Sequence, residues 1–322
     1  MITKKIIKGK PYLYAEHSFR LPDGKIKKVS KYIKSENKAK SSDILKYFEE
    51  KELQAYQQYA LGRYTPNYIF THEKITKVET IRLQYRKIMK NLTKNQIKDI
   101  IDRFTVNFTY ESNALEGNSL TLKDVILILH ENEVPKNHSL KEIYETRNSR
   151  IANELLFRNK IQITLPHIVT LHKIIVKETG IPDGFKTIPN FLLMRNVKTT
   201  PPENVQSEMK KLINYYNTIK DKEHPIQVAA DFHAKFERIH PFEDGNGRVG
   251  RILVNAILLK HGYSPLIIRK SMRSSYFSAL AAYDKGYKAK LRRYFLEKFE
   301  KTFEKFFRVY VDYPLKKDSS SL

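Results

Sequence analysis

The chain has 322 residues, of which 41% are hydrophobic, with 59 lysines and arginines, 35 aspartates and glutamates, and no cysteine. That length suits one large domain plus a small one, and the hydrophobic share supports a substantial core instead of long disordered stretches. Without cysteine there is no disulfide framework, thiolate metal site or cysteine nucleophile. No apolar run has the length of a signal peptide or membrane span, so a cytoplasmic globular protein is expected.

The net charge is +24, and residues 1–100 carry 23 basic against 10 acidic side chains. A surface of that kind attracts nucleic acid, acidic partners or phosphorylated ligands, although a lysine-rich solvated face is the plainer account of it. From Pro11 to Ile33, apolar and polar residues alternate around a Pro-Asp-Gly turn, which predicts an antiparallel hairpin of two strands. Ser42–Leu61 and Glu73–Leu92 are apolar at helical spacing and are separated by a loop with Pro66. Thr93 reads as the N-cap of a helix to about Tyr110, and Thr121 as the cap of another whose apolar face holds Val125, Ile126 and Leu129.

Further helices are predicted over Glu142–Arg158, from Pro166 to a C-cap at Gly180, over Glu203–Lys220 and over Ile226–Arg238. Between Ile181 and Pro202 the prolines and the short apolar stretch Phe191–Met194 predict an irregular loop carrying a strand or hairpin. The organisation expected is a basic hairpin-plus-helix domain over 1–72, a mainly helical domain over 73–312 and a disordered tail over 313–322.

The segment from Arg238 reads RIHPFEDGNGRVGRILVNAILL. Gly245, Asn246 and Gly247 form a turn whose backbone N–H groups can converge at a helix N-terminus, the natural cradle for an anion. Arg248 and Arg251, three apart, lie on one face of the following helix, a pair suited to a polyphosphate. Asp244 is an oxygen donor placed to hold Mg2+ bridging phosphate oxygens, and His240 can take a proton from a hydroxyl attacking phosphorus. Ile239, Phe242 and Ile252–Leu259 read as packing that holds the turn rigid. A zinc set of His233, His240 and Asp244 is a poorer reading, because His233 fits a packed helix and no H-E-x-x-H occurs.

The run HPFEDGNGRVGR, His240 to Arg251, resembles the signature H-P-F-x-[DE]-G-N-G-R-x-x-R of the Fic family at every fixed position. HPIQVAADFHAKFERIHPF from His224, TTPPENV from Thr199 and RKSMRSSYFSAL from Arg269 also look like this family, and the similarity spans roughly Leu92 to Phe307. The resemblance implies a mainly α fold, a Fic-type helical core with a small β-hairpin flap, behind a small N-terminal α+β domain. It implies transfer of AMP from ATP to a Ser, Thr or Tyr hydroxyl, with His240 as base and Asp244 on Mg2+. The Gly245, Asn246 and Gly247 backbone with Arg248 would grip the phosphates, Arg251 would take the γ-phosphate, and Tyr276 would pack on adenosine.

SNALEGN, Ser112 to Asn118, is similar to the inhibitory pattern [ST]-x-x-x-E-[GN] of one Fic class, in which Glu116 would pair with Arg251 and block the productive ATP pose. Two departures bear on docking and nucleotide choice. Lys186 stands where relatives often carry Arg before the flap, and Asp284 where some carry Asn near the base. The flap, about 187–195, would dock the protein substrate by strand addition. The alternatives are removal of AMP by the same pocket, with Glu116 activating water, and nucleic-acid regulation by the basic N-terminal domain. A homodimer is left open and no membrane partner is expected.

Overall fold

The computed structural model describes residues 2–33, 41–192 and 197–311. The expected tail 313–322 and flap residues 193–195 lie outside them. The chain divides into two compact units, residues 1–84 and 85–322. The boundary falls inside the helix His72–Asn91.

In the first unit, strands β1 (Ile2–Ile7), β2 (Lys10–Arg20) and β3 (Ile26–Ile33) form an antiparallel sheet in the order β1-β2-β3. The β2–β3 turn closes through Leu21 and Lys25, with Gly24 at φ +89° supplying the left-handed step that the Pro-Asp-Gly text predicts. Strand β1 was not predicted. ITKKII does not alternate cleanly, and the turn before β2 is Lys8-Gly9, both at positive φ, which matches the twist of a two-residue hairpin. Helix α1 (Ser41–Arg63) covers one sheet face: Phe48 packs on Ala15 and Ile33, and Ala55 and Tyr56 pack on Phe19 and Leu21. The Tyr56 hydroxyl donates to the Arg20 carbonyl at 2.9 Å.

Helix α2 (His72–Asn91) leads into the second unit. Helix α3 (Lys94–Leu115) opens on a Thr93/Gln96 capping box and runs five residues past the expected end at Tyr110. Its last turn contains Ser112 and Asn113, polar residues that read as an ending but are buried against partners. Helix α4 (Leu122–Ile126) starts on Thr121 as predicted and continues as a π-helical turn, Leu127–Glu131. The widened turn brings Ile128 to the core beside Val125 and Leu129, leaving Ile126 exposed where it was expected on the apolar face.

Helices α5 (Leu140–Phe157) and α6 (Leu165–Ile175) follow. The latter stops before Gly180 because the Asn148 amide from α5 donates to the carbonyls of Ile175 (3.2 Å) and Lys177 (2.7 Å). A short pair of strands, β4 (Phe191–Leu192) and β5 (Val197–Lys198), precedes α7 (Pro202–Ile219). Helices α8 (Pro225–Ile239) and α9 (Asn246–Lys260) are buried along most of their length and form the centre of the unit. Helices α10 (Arg273–Asp284) and α11 (Lys288–Phe306) close it.

Two buried side chains fix the α8–α9 turn. His172 of α6 is fully buried and stacks on Phe242 at 3.8 Å between ring centroids, 7° from parallel, and its Nε2–H donates to the Asp244 carbonyl at 3.0 Å. Lys186 is 2% exposed, and its ammonium donates to Asn190 Oδ1 and Thr199 Oγ1, both at 2.7 Å, and to the Ile239 carbonyl at 3.5 Å. Its backbone N–H bonds Pro241, and Asn190 Nδ2 bonds the Phe242 carbonyl, so the base of the flap is tied to the turn. Burial pulls the Lys186 ammonium down to about 8.

Burial holds the His172 imidazole near pKa 4, so the folded chain keeps it neutral where an unfolded chain would protonate it. The unfolded state then binds more protons below pH 6.5, and stability falls as pH drops toward 4. Between pH 6.5 and 5 the loss assignable to His172 is expected to be roughly 2 kcal/mol. Urea unfolding at pH 7 and pH 5 should show the wild type losing that much more than His172→Gln; equal losses would contradict a neutral buried ring.

Candidate active site

The turn between α8 and α9 begins at His240, held at φ +50° with its N–H on the Phe236 carbonyl at 2.9 Å. A non-glycine residue there is strained and persists only where its surroundings fix it. The Asn246 side chain supplies part of that fixing, accepting from the Phe242 N–H at 3.0 Å and donating to the Phe242 carbonyl at 2.9 Å. Gly245, at φ +81°, caps α9, and a Cβ there would come within 3.2 Å of Val176. No larger residue suits the position.

The first turn of α9 leaves backbone N–H groups without intrahelical partners at the positive end of the helix. A carboxylate lies over it. Glu116, the C-cap of α3, pairs with Arg251 at 2.7 Å, and a Cβ on Gly247 would overlap its Oε1. Gly117 behind it takes φ +102°, the left-handed exit that ends α3. Arg251 is 3% exposed and also donates to the Ser112 hydroxyl (2.9 Å) and carbonyl (2.8 Å). Burial alone would favour its neutral form, but Glu116 holds it protonated.

Arg248, also 3% exposed, bridges Glu145 Oε1 at 2.9 Å and Asp244 Oδ1 at 3.2 Å. The second Asp244 oxygen is 3.2 Å from the Lys141 ammonium. Burial pushes the Asp244 pKa up, yet Arg248, the Gly245 N–H and Lys141 outweigh it and hold the carboxyl below its usual range, ionised. Asn118 Nδ2 donates to Glu145 Oε2 at 2.9 Å, drawing the segment after Glu116 into the same network. These residues line an open concavity of about 190 Å³ whose walls include Glu116, Asn118, Lys141, Glu145, Asp244 and Arg248.

His240 Nδ1 lies 3.3 Å from the Glu237 carbonyl, which can only accept, so Nδ1 carries the proton and the basic lone pair belongs to Nε2. Tyr276 is buried behind Arg251, 2.5 Å from His233 Nε2 through its hydroxyl, and burial raises its pKa so that it stays neutral. Of the residues picked from sequence, Glu116, Asp244 and Arg248 line the concavity and Gly247 and Arg251 lie against Glu116, while His240, Gly245 and Asn246 belong to the adjoining turn and Tyr276 is buried outside the concavity. His233 turns to Tyr276, and among the described residues no three metal-ligating side chains converge. Asp284 lies 3.5 Å from the 55% exposed Arg238. Sequence reasoning missed Lys141 and Glu145. Their four-residue spacing puts them on one helix face, but nothing local says that the face meets this turn.

Residues 162–258 match the Fic/DOC family. The chain is 30% identical over 212 residues to "Protein adenylyltransferase Fic" of Nematostella vectensis, covering 64% of this chain and 49% of that protein. It is 29% identical over 209 residues to the protein of the same name in Drosophila virilis, covering 64% and 43%. The chain thus spans about half the length of the curated relatives it matches. Among solved structures, a Fic domain containing signaling protein from Bacteroides thetaiotaomicron superposes with TM-score 0.61 at 26% identity, covering 76% of this chain and 97% of that one. A C. elegans Fic-1 structure shares the fold with TM-score 0.63 at 22% identity, covering 73% and 71%. The turn from His240 to Arg251 lies inside the span that matches the Fic/DOC family, and the helical core around it shares the fold of these Fic structures.

Proposed function

We propose that this chain transfers AMP from ATP to a hydroxyl side chain of a protein, and that Glu116 holds it in a self-inhibited form. The observation that carries the reading is an anion already seated in the turn: the Glu116 carboxylate lies on Arg251 over the N-terminus of α9. A site that stabilises a carboxylate there has the donors and charge to hold a phosphate group. The relatives named protein adenylyltransferase support the same direction.

On this reading His240 Nε2 takes the proton of the incoming hydroxyl as its oxygen bonds to the α-phosphorus. The bond from that phosphorus to the bridging oxygen breaks and pyrophosphate leaves with the electron pair. Arg248 and Arg251 neutralise phosphate charge, and this positioning with neutralisation is most of what phosphoryl-type catalysis requires. Asp244, ionised and presenting carboxylate oxygens, fits a hard cation such as Mg2+ held by one protein carboxylate and the nucleotide. When bound, that ion supplies further charge neutralisation at the phosphate oxygens. The flap strands β4 and β5, with Phe191 45% exposed, offer an edge for an extended segment of the protein substrate.

The Glu116–Arg251 pair supports a site held in an inhibited form, because its charge-assisted hydrogen bond occupies the guanidinium. Glu116→Gly is expected to raise labelling of protein by α-phosphate-labelled ATP ten- to a hundredfold, the usual worth of a charged hydrogen bond. Equal labelling by wild type and variant would remove the inhibitory role. Placing His240→Ala on that background should cut labelling by at least a hundredfold, as for loss of a general base. The rival reading makes the opposite demand: release of AMP from a modified protein without ATP, abolished by Glu116→Gly, would assign the pocket to AMP removal.

A further inference from the structure

The sheet of the first unit has one face covered by α1 and another that carries a chemistry the Fic site does not use. Antiparallel register places directly paired residues on the same face. Tyr14 is opposite Tyr32 and Thr3, Tyr12 is opposite Lys5, Ser18 is opposite Lys28, and Arg20 is opposite Ile26. The face away from α1 therefore presents Tyr12, Tyr14 and Tyr32 in its middle and Lys5, Lys10, Arg20 and Lys28 around them. The rings form one cluster, Tyr32 being 5.8 Å from Tyr12 and 5.7 Å from Tyr14 between centroids, and Tyr32 is 49% exposed. Glu16, the one carboxylate on this face, is neutralised by Lys5 at 2.7 Å. Over residues 1–33 there are nine lysines and arginines against two acidic residues.

We infer that this face binds single-stranded nucleic acid, with bases stacked on the tyrosines and phosphates on Lys10, Arg20 and Lys28. Sheet faces that bind unpaired strands combine aromatic rings at their centre with a basic margin, because every base has a π-face and every nucleotide a charge. A duplex hides the faces of its bases and is read by hydrogen-bonding side chains at the groove edges, whereas the middle of this sheet offers rings. An acidic protein segment would use the lysines and leave the three tyrosines idle. The inference is independent of AMP transfer, since none of these residues belongs to the Fic site.

The test is fluorescence anisotropy of the full chain, without ATP, with labelled oligo-dT and oligo-U of about twelve nucleotides, a hairpin duplex as comparison and polyglutamate as competitor. Single strands are expected to bind at least tenfold tighter than duplex, with affinity falling as salt rises by about 0.7 log units per log unit of salt for each phosphate held. Tyr32→Ala should weaken binding roughly tenfold, the worth of one stacked base, with the melting temperature unchanged. Should the sheet itself be loosened, Tyr32→Val keeps strand preference and carries the same expectation. The Lys10→Glu, Lys28→Glu double variant should weaken binding and flatten the salt dependence. Duplex binding as tight as single strand, affinity untouched by both Tyr32 variants, displacement by polyglutamate as effective as by oligo-dT, or no saturable binding would each overturn it.

Discussion

A guanidinium with 3% exposure cannot stay in a protein without a counter-charge, because taking an isolated ion out of water costs several kcal/mol even after relaxation. Arg251 is that ion, and its compensation comes from a different helix: the Glu116 carboxylate and the Ser112 hydroxyl and carbonyl at the end of α3. The close of α3 and the start of α9 are thereby bound by electrostatics as much as by packing. Arg248 repeats the arrangement one turn earlier, with Glu145 of α5 and Asp244 of the turn as its partners. Two buried cations on one helix thus draw α3, α5 and the α8–α9 turn to one point.

The turn itself is held by neutral contacts as well as ionic ones. His172 stacks on Phe242 and donates to the Asp244 carbonyl, while Asn246 closes both polar groups of the Phe242 backbone. Lys186 brings the foot of the flap to the same turn through oxygen acceptors. The backbone of the turn is therefore held by contacts other than the ion pairs around it. Glu116, at 32% exposure and at a helix end, is the more easily moved member of its pair; Arg251 is fixed on both sides.

The two units differ in how they use charge. Around the α8–α9 turn the two arginines are buried and paired with carboxylates, and the half-exposed Lys141 shares Asp244 with Arg248. On the N-terminal sheet they are many and exposed, and surround an aromatic cluster. The first arrangement gives strength and geometry at one point, and the second gives a broad attraction that salt weakens. Strand register puts Lys5, Lys10, Lys28 and Arg20 on the face with the tyrosines, and Lys4, Lys27 and Lys31 on the face toward α1.

Much of the site was legible in the sequence because its parts are local. A histidine, an acid, a Gly-Asn-Gly turn and two arginines within twelve residues fix their own spacing wherever the chain folds, and the capping threonines at 93 and 121 act on N–H groups three residues away. The strand hairpin with Gly24 was legible for the same reason. What the sequence could not contain was the identity of partners far along the chain. Lys141 and Glu145 at the turn, Asn148 ending α6 before Gly180, His172 under the loop and Tyr276 buried behind Arg251 each depend on which helix faces meet. So does strand β1, whose ITKKII text has no clear period of its own and is defined by pairing with β2. Local rules set which backbone groups need a cap and which residues can turn, but a buried charge is satisfied only by whatever the packed helices bring to it, and that is decided by the tertiary structure alone.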